Sequence, residues 1–240
     1  MKLIAEKYKS LKPTIEYLSD EVVIAQAWKK THGYMRHHNW YADTLALDVS
    51  ALGLESNARN WAEDIKKKDL SPYPLILIPA AKSDTWIVDD KKGWLPKSLL
   101  DAKTTEARTK KPPLRPLAHL RVRDQTWATT IMLCMADAVE TAQGDCSEEN
   151  FLKVQQRKVF SYGNRLLCDW NDDKEAWFRW GNSEIYRKFY IDYQNFLKRS
   201  VSIGRMVADN QRDIDHVFIV NLDLTKFYDH IDRKVLIKRL

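Results

Sequence analysis

Residues 219–231 read Ile219-Val220-Asn221-Leu222-Asp223-Leu224-Thr225-Lys226-Phe227-Tyr228-Asp229-His230-Ile231, and the reading of the whole chain turns on them. With Val217 and Phe218 in front, the apolar run predicts a buried β-strand over 217–224. Such a strand delivers one carboxylate, Asp223, to its carboxyl end. A carboxylate held in a sheet is costly unless something cationic compensates it, and a divalent metal is a common compensator. Phosphoryl transfer with two magnesium ions needs carboxylates fixed this rigidly, one ion activating the attacking hydroxyl and the other the leaving phosphate. The same residue would serve equally as a helix-capping Asp at a strand–helix turn.

Charge upstream points toward phosphates. Between Lys103 and Arg123 stand Lys103, Arg108, Lys110, Lys111, Arg115, Arg121 and Arg123 against Glu106 alone, so this block carries a net +6, the net charge of all 240 residues. A basic block of this kind is the electrostatic footprint of nucleic-acid binding, although a solvated loop has the same composition. Pro112, Pro113 and Pro116 make it extended or turning rather than helical. Aromatic residues are plentiful, with nine Trp and ten Tyr, while only seven Gly leave little room for Gly-rich phosphate loops.

The overall composition, 44% hydrophobic and 30% charged, is that of a globular protein and excludes a disordered one. No apolar run reaches the roughly 18 residues that span a bilayer, and the amino terminus has no signal-peptide core. Cys134, Cys146 and Cys168 are odd in number and form no CxxC pair, which points to a reducing, cytoplasmic setting.

Periodicity predicts a helix over 14–30 that stops at His32-Gly33, and a second over 56–68 with Ala58, Trp61, Ala62 and Ile65 on one face. Leu75–Ile78 and Trp86–Val88 read as the two strands of one hairpin, followed by a linker-like stretch over 89–113. Asp124 is placed to cap an apolar helix running to about Glu140, ended by Gly144-Asp145. Residues 159–166 form a turn-containing segment. A helix over 183–200 would turn Ile185, Tyr186, Phe189, Tyr190, Tyr193, Phe196 and Leu197 inward, and a short helix starts near Asp232. Trp170, Trp177 and Trp180 beside Arg179 read as packing rather than as a base platform. His32, His37 and His38 lack a Cys or acidic partner at ligand spacing, which argues against zinc.

The segment after Ile219 resembles motif A of reverse transcriptases, an apolar strand followed by D-(I/L)-x-x-(F/Y)-(F/Y)-D-x-I, in the form found in the group II intron, retron and defence-associated bacterial branch. Leu114-Arg115-Pro116-Leu117-Ala118-His119-Leu120-Arg121-Val122-Arg123-Asp124-Gln125 is similar to that branch's fingers motif, R-P-L-x-I-P-x-x-x-D-(R/K). Phe160-Ser161-Tyr162-Gly163-Asn164-Arg165 is similar to the next, F-S-x-G-(F/S)-R. Three motifs stand in the family's order over 114–240.

The resemblance implies an α+β chain: helix-rich fingers of a right-hand polymerase and the start of an antiparallel palm sheet. Residues 1–105 would be a helical amino-terminal extension with a β-hairpin, 106–205 the fingers and 206–240 the start of the palm. Asp223 would be the catalytic metal ligand, and the backbone carbonyl of Leu224 a second contact to two Mg2+ ions. Tyr228 would be the steric gate that excludes a 2′-OH. Arg115 would reach the incoming triphosphate, helped by Lys110 or Lys111, because a guanidinium bonds phosphate oxygens in pairs. Arg165, Arg121 and Arg123 would contact nucleic acid. Asp229 fits a structural role better than a ligand's. The implied partners are an RNA template, a DNA or RNA primer and deoxynucleotides, with a noncoding RNA or the carboxyl-terminal palm and thumb as further candidates and no membrane. The aromatic stretch Tyr34–Tyr41 with Lys29 and Lys30 would stack on single-stranded bases, or else form a helix junction.

One departure matters. The family's later Y-x-D-D motif, whose carboxylates complete the two-metal site, is absent; the sequence stops 17 residues after Asp223. Tyr41-Ala42-Asp43-Thr44 imitates it on the wrong side of motif A. One carboxylate does not hold two Mg2+ ions, so these 240 residues alone are expected to be inactive. Two other readings remain: an RNA-dependent RNA polymerase using Asp223 and Asp229, and a non-catalytic RNA-binding module.

Overall fold

The computed structural model describes residues 6–39, 41–81, 86–97, 114–148, 159, 161–172, 174–210, 216–220, 222–224 and 230–239. They form helices with three small two-stranded antiparallel sheets, an α+β arrangement. The helices are α1 (Ile15–Leu18), α2 (Glu21–His38), α3 (Thr44–Leu52), α4 (Leu54–Lys66), α5 (Val122–Gln143), α6 (Phe189–Asn210) and α7 (Arg233–Arg239). The strands are β1 (Ile76–Ala81), β2 (Trp86–Asp89), β3 (Gly93–Pro96), β4 (Leu114–His119), β5 (Cys168–Trp170) and β6 (Ala176–Phe178). The chain divides into two compact units, Met1–Asp145 with Asn164–Arg187, and Cys146–Gly163 with Lys188–Leu240.

In the first unit, α2 starts where Asp20 accepts hydrogen bonds from the backbone N–H groups of Val22 (2.9 Å) and Val23 (3.2 Å), satisfying two of the donors a helix start leaves open. This cap splits the expected single helix over 14–30 into α1 and α2. Gly33 does not end α2, which runs on to His38. A Cβ there would lie 3.5 Å from the Ser183 carbonyl oxygen, an ordinary contact, so the helix passes through this position without strain. The core packs Ile24 of α2, Ala58, Trp61, Ala62 and Ile65 of α4, and Trp127 of α5. The face expected for the 56–68 helix is the buried face of α4. Helix α3 was not foreseen; Asp43, within the Y-x-D-D imitation, caps it by accepting from the Ala46 N–H at 2.9 Å.

Strand pairing corrects the hairpin expectation. β1 pairs with β4, with Ile76 opposite His119 and Ala81 opposite Leu114, while β2 pairs with β3. The tight turn lies after β2: Asp89 accepts from the Lys91 and Lys92 N–H groups, and Gly93 takes φ +74°. That Asx turn closes β2 on β3 locally and leaves β1 to a partner far along the chain. Within the basic block Leu114–His119 is extended as expected, but the end of the block is not, since Val122 and Arg123 already belong to α5.

α5 begins at Val122 with Arg121 at its N-cap, so Asp124 is not the cap. Asp124 sits buried in the first turn, paired with Arg123 at 2.9 Å and accepting from the Tyr73 N–H at 2.7 Å. Gly144 ends the helix with φ +76°. The β5–β6 hairpin is pinned to α5: the Ala176 N–H donates to Thr141 Oγ1 and the Phe178 N–H to Asp137 Oδ1, both at 2.8 Å.

In the second unit, the Cys146 thiol donates to Asp192 Oδ1 at 3.4 Å, and Arg199 donates to the Val159 carbonyl. The helix expected over 183–200 is α6, shifted to 189–210. Its aromatic face is exposed rather than inward, with Phe189 at 75% and Tyr193 at 57%, and Asp192 is its buried residue. The buried strand expected over 217–224 is also corrected. Residues 216–220 and 222–224 are irregular and exposed, with Phe218 at 84% and Leu222 at 91%. A strand forms only beside a hydrogen-bonding edge, and no described strand pairs with this segment. It runs instead past α6, where a Cβ on Gly204 would lie 3.8 Å from Val217.

Candidate functional site

Asp223 and Leu224 lie in the second unit with exposed side chains, so the carboxylate is open to solvent. Tyr228, Asp229, Lys110 and Lys111 fall outside the described residues. Arg115 lies in the first unit on β4, opposite Ala80 and solvent-facing. Arg121 is also exposed, at the entry to α5. β4 therefore leads into α5 with two guanidinium groups available to an outside anion.

The other two arginines are engaged by the protein itself. The Arg123 guanidinium lies over the rings of Tyr73 (3.9 Å) and Trp127 (4.3 Å) and donates to the Ser71 carbonyl. Its planar cation staples the segment before β1 to α5. Arg165 is 2% exposed. It pairs with Glu140 at 2.7 Å and donates to the Gly144 carbonyl, while the Leu166 N–H donates to the other Glu140 oxygen at 2.9 Å. This geometry locks the turn after Gly163 to the end of α5, a position different from the surface contact expected for Arg165. The signal in the sequence was Glu140 itself, a carboxylate on the buried face of α5 that needs an internal cation.

A second feature went unread in the sequence. Tyr8, Lys9, Leu11, Leu133, Asp137, Asp169, Trp177, Phe178, Arg179, Trp180 and Gly181 line a cleft of about 240 Å³ in the first unit. Each wall is held in place. Tyr8 stacks on Trp180 with centroids 6.2 Å apart, and its hydroxyl bonds the Asp20 carboxylate. The 179–184 loop is gripped from below by Lys30, whose ammonium donates to the carbonyls of Arg179 (3.1 Å), Asn182 (2.6 Å) and Glu184 (2.9 Å). Lys30 is fully buried, and burial, then the neighbouring Lys29 charge, pushes its pKa down to about 8. Asp137 has its carboxyl pushed above the usual range by burial. Trp177 and Trp180, expected to be packing residues, thus line a cleft together with Arg179.

Burial raises the thiol pKa of Cys134 to about 11 and that of Cys168 to about 12, so neither offers a thiolate nucleophile near neutrality. Among the described residues no group of three or more His, Cys, Asp or Glu could hold a metal ion, and no helix is long and apolar enough to cross a membrane. Compared with protein-family models, curated proteins and solved structures, the chain shows no significant match in any of the three.

Proposed function

We propose that the chain is the fingers and first palm segment of an RNA-directed DNA polymerase acting in the cytoplasm, with a role in antiviral defence as the biological setting. The observation that carries this reading is the ordered motif set of Arg115-Pro116-Leu117, Phe160–Arg165 and Asp223–Asp229, in which Arg115 and Asp223 both present exposed side chains. Asp223 and the Leu224 carbonyl would supply two oxygen ligands to magnesium, which demands an octahedral set. The described residues supply no cluster to complete that set. The rest would come from nucleotide phosphates, water and the carboxylates of a Y-x-D-D segment. Bound magnesium would stabilise charge on the transferred phosphoryl group. Tyr228 would select deoxynucleotides.

Arg115 and Arg121 are the test at the level of binding. Fluorescence anisotropy with an RNA–DNA primer–template should show affinity falling steeply with salt, because each neutralised phosphate releases counterions. Arg115→Ala with Arg121→Ala should weaken binding and flatten the slope of log K against log salt by about two. A flat salt response in the unmodified chain, or a slope untouched by both substitutions, removes the role given to β4.

A further inference from the structure

We infer that the cleft between Tyr8 and the β5–β6 hairpin is a binding site for a guanine base. The inference is independent of the polymerase reading, since the cleft lies within the first unit and uses none of the residues assigned to nucleotidyl transfer. Its volume of about 240 Å³ suits a single planar ring system, and Tyr8, Trp177 and Trp180 supply aromatic surface for stacking, while the Phe178 ring is already covered by the Lys30 ammonium at 4.3 Å. The carboxylate of Asp137 supplies the polar discriminator. Its one hydrogen bond among the described residues, from the Phe178 N–H, uses Oδ1. That backbone bond fixes the carboxylate on α5 and leaves Oδ2 as an acceptor.

A carboxylate accepts and does not donate. Guanine presents two adjacent donors on one edge, N1–H and the 2-amino group. Adenine and cytosine present a ring-nitrogen acceptor there, and uracil flanks its one N–H with two carbonyls; each sets a lone pair against the carboxylate. Burial has already removed much of the water from Asp137, so an N–H brought by the ligand replaces solvation that the site lacks. Arg179 also lines the cleft and would attract an attached phosphate, although its guanidinium already pairs with Asp169 at 2.8 Å. The walls are built before any ligand arrives: Asp20 holds Tyr8 and Lys30 holds the loop carrying Trp180. Such preorganisation lowers the ordering cost of binding.

The guanine can come from a free nucleotide or from an unstacked base in a single strand. Titration calorimetry of the 240-residue chain with 5′-GMP, 5′-IMP, 5′-UMP and the oligonucleotide U-U-G-U-U separates these. GMP should bind, IMP should bind about tenfold more weakly for want of the 2-amino donor, and UMP should give no measurable heat. Tighter binding of the oligonucleotide than of GMP assigns the site to a strand, and equal or weaker binding assigns it to a mononucleotide. Asp137→Asn keeps an oxygen for the Phe178 N–H but turns a donor toward the base. It should weaken GMP binding by at least about tenfold at an unchanged melting temperature. Should that variant fold poorly, the GMP-to-IMP ratio on the unmodified chain still decides. Equal affinity for GMP, IMP and UMP, absence of binding by both GMP and the oligonucleotide, or undiminished GMP binding by folded Asp137→Asn overturns the proposal.

Discussion

Replacing Glu140 with alanine is expected to destabilise the fold by about 3–5 kcal/mol, the penalty for leaving one member of a buried ion pair without the other. Both side chains of the Glu140–Arg165 pair are at most 3% exposed. Glu140 accepts Arg165 on one oxygen and the Leu166 N–H on the other. In the variant the guanidinium keeps its bond to the Gly144 carbonyl but faces an apolar gap where its counter-charge was. Leu166, next to Arg165, and Ala136, one turn before Glu140, belong to a buried apolar cluster with Cys168, Ala176 and Ile185. The double variant Glu140→Gln with Arg165→Met should recover most of the loss. It removes both charges while the glutamine oxygen still accepts from Leu166, and buried pairs replaced by neutral groups of similar volume are often nearly neutral in stability. Urea denaturation of the single and double variants measures both effects. A Glu140→Ala midpoint close to that of the unmodified chain would show that the pair is not buried as described.

The second large effect is a pH dependence owed to Lys30. An unfolded lysine titrates near 10.5, whereas the folded group titrates near 8 because burial and Lys29 disfavour its charge. Between those values the unfolded chain binds more protons, so stability must rise with pH across about 8 to 10.5 and stay flat below that window for this group. The shift corresponds to about 3 kcal/mol when fully developed. Lys30→Met removes the titration, so its stability should lack this rise. At neutral pH the variant also loses three hydrogen bonds to the 179–184 loop, which should loosen the Trp180 wall of the cleft. Urea midpoints measured at intervals from pH 7 to pH 10 in both proteins decide the matter. Parallel curves would mean that Lys30 does not titrate in the folded state over this range.

Both predictions rest on residues whose surroundings the sequence only half disclosed. Helix α4 was legible because Ala58, Trp61, Ala62 and Ile65 repeat at helical spacing and then meet a core of the same character. Lys30 was open to the same logic, since it follows Val23 and Ala27 on the buried face of α2, yet the Lys29-Lys30 pair reads as surface charge. Glu140 was disguised in the same way at the end of α5. Arginines pose the general difficulty: charge alone does not tell Arg115, facing solvent on β4, from Arg165, closed over by Glu140.

Strand pairing was illegible for another reason. The β1–β4 register joins residues about forty positions apart, and local pattern carries no information about which distant edge a strand will meet. The apolar run before Asp223 has the composition of a buried strand, but burial needs a partner edge, and the described strands do not provide one. The cleft was invisible because it assembles Tyr8, Asp137 and Trp180 from separate parts of the sequence.

The central claim is that Asp223 serves nucleotidyl transfer, and primer extension tests it most directly. The chain would be expressed together with a palm segment carrying Y-x-D-D and supplied with an RNA template, a DNA primer, deoxynucleotides and Mg2+. The account predicts extension of the primer that falls to background in Asp223→Asn while primer–template binding persists. Extension by Asp223→Asn at the unmodified rate would contradict it.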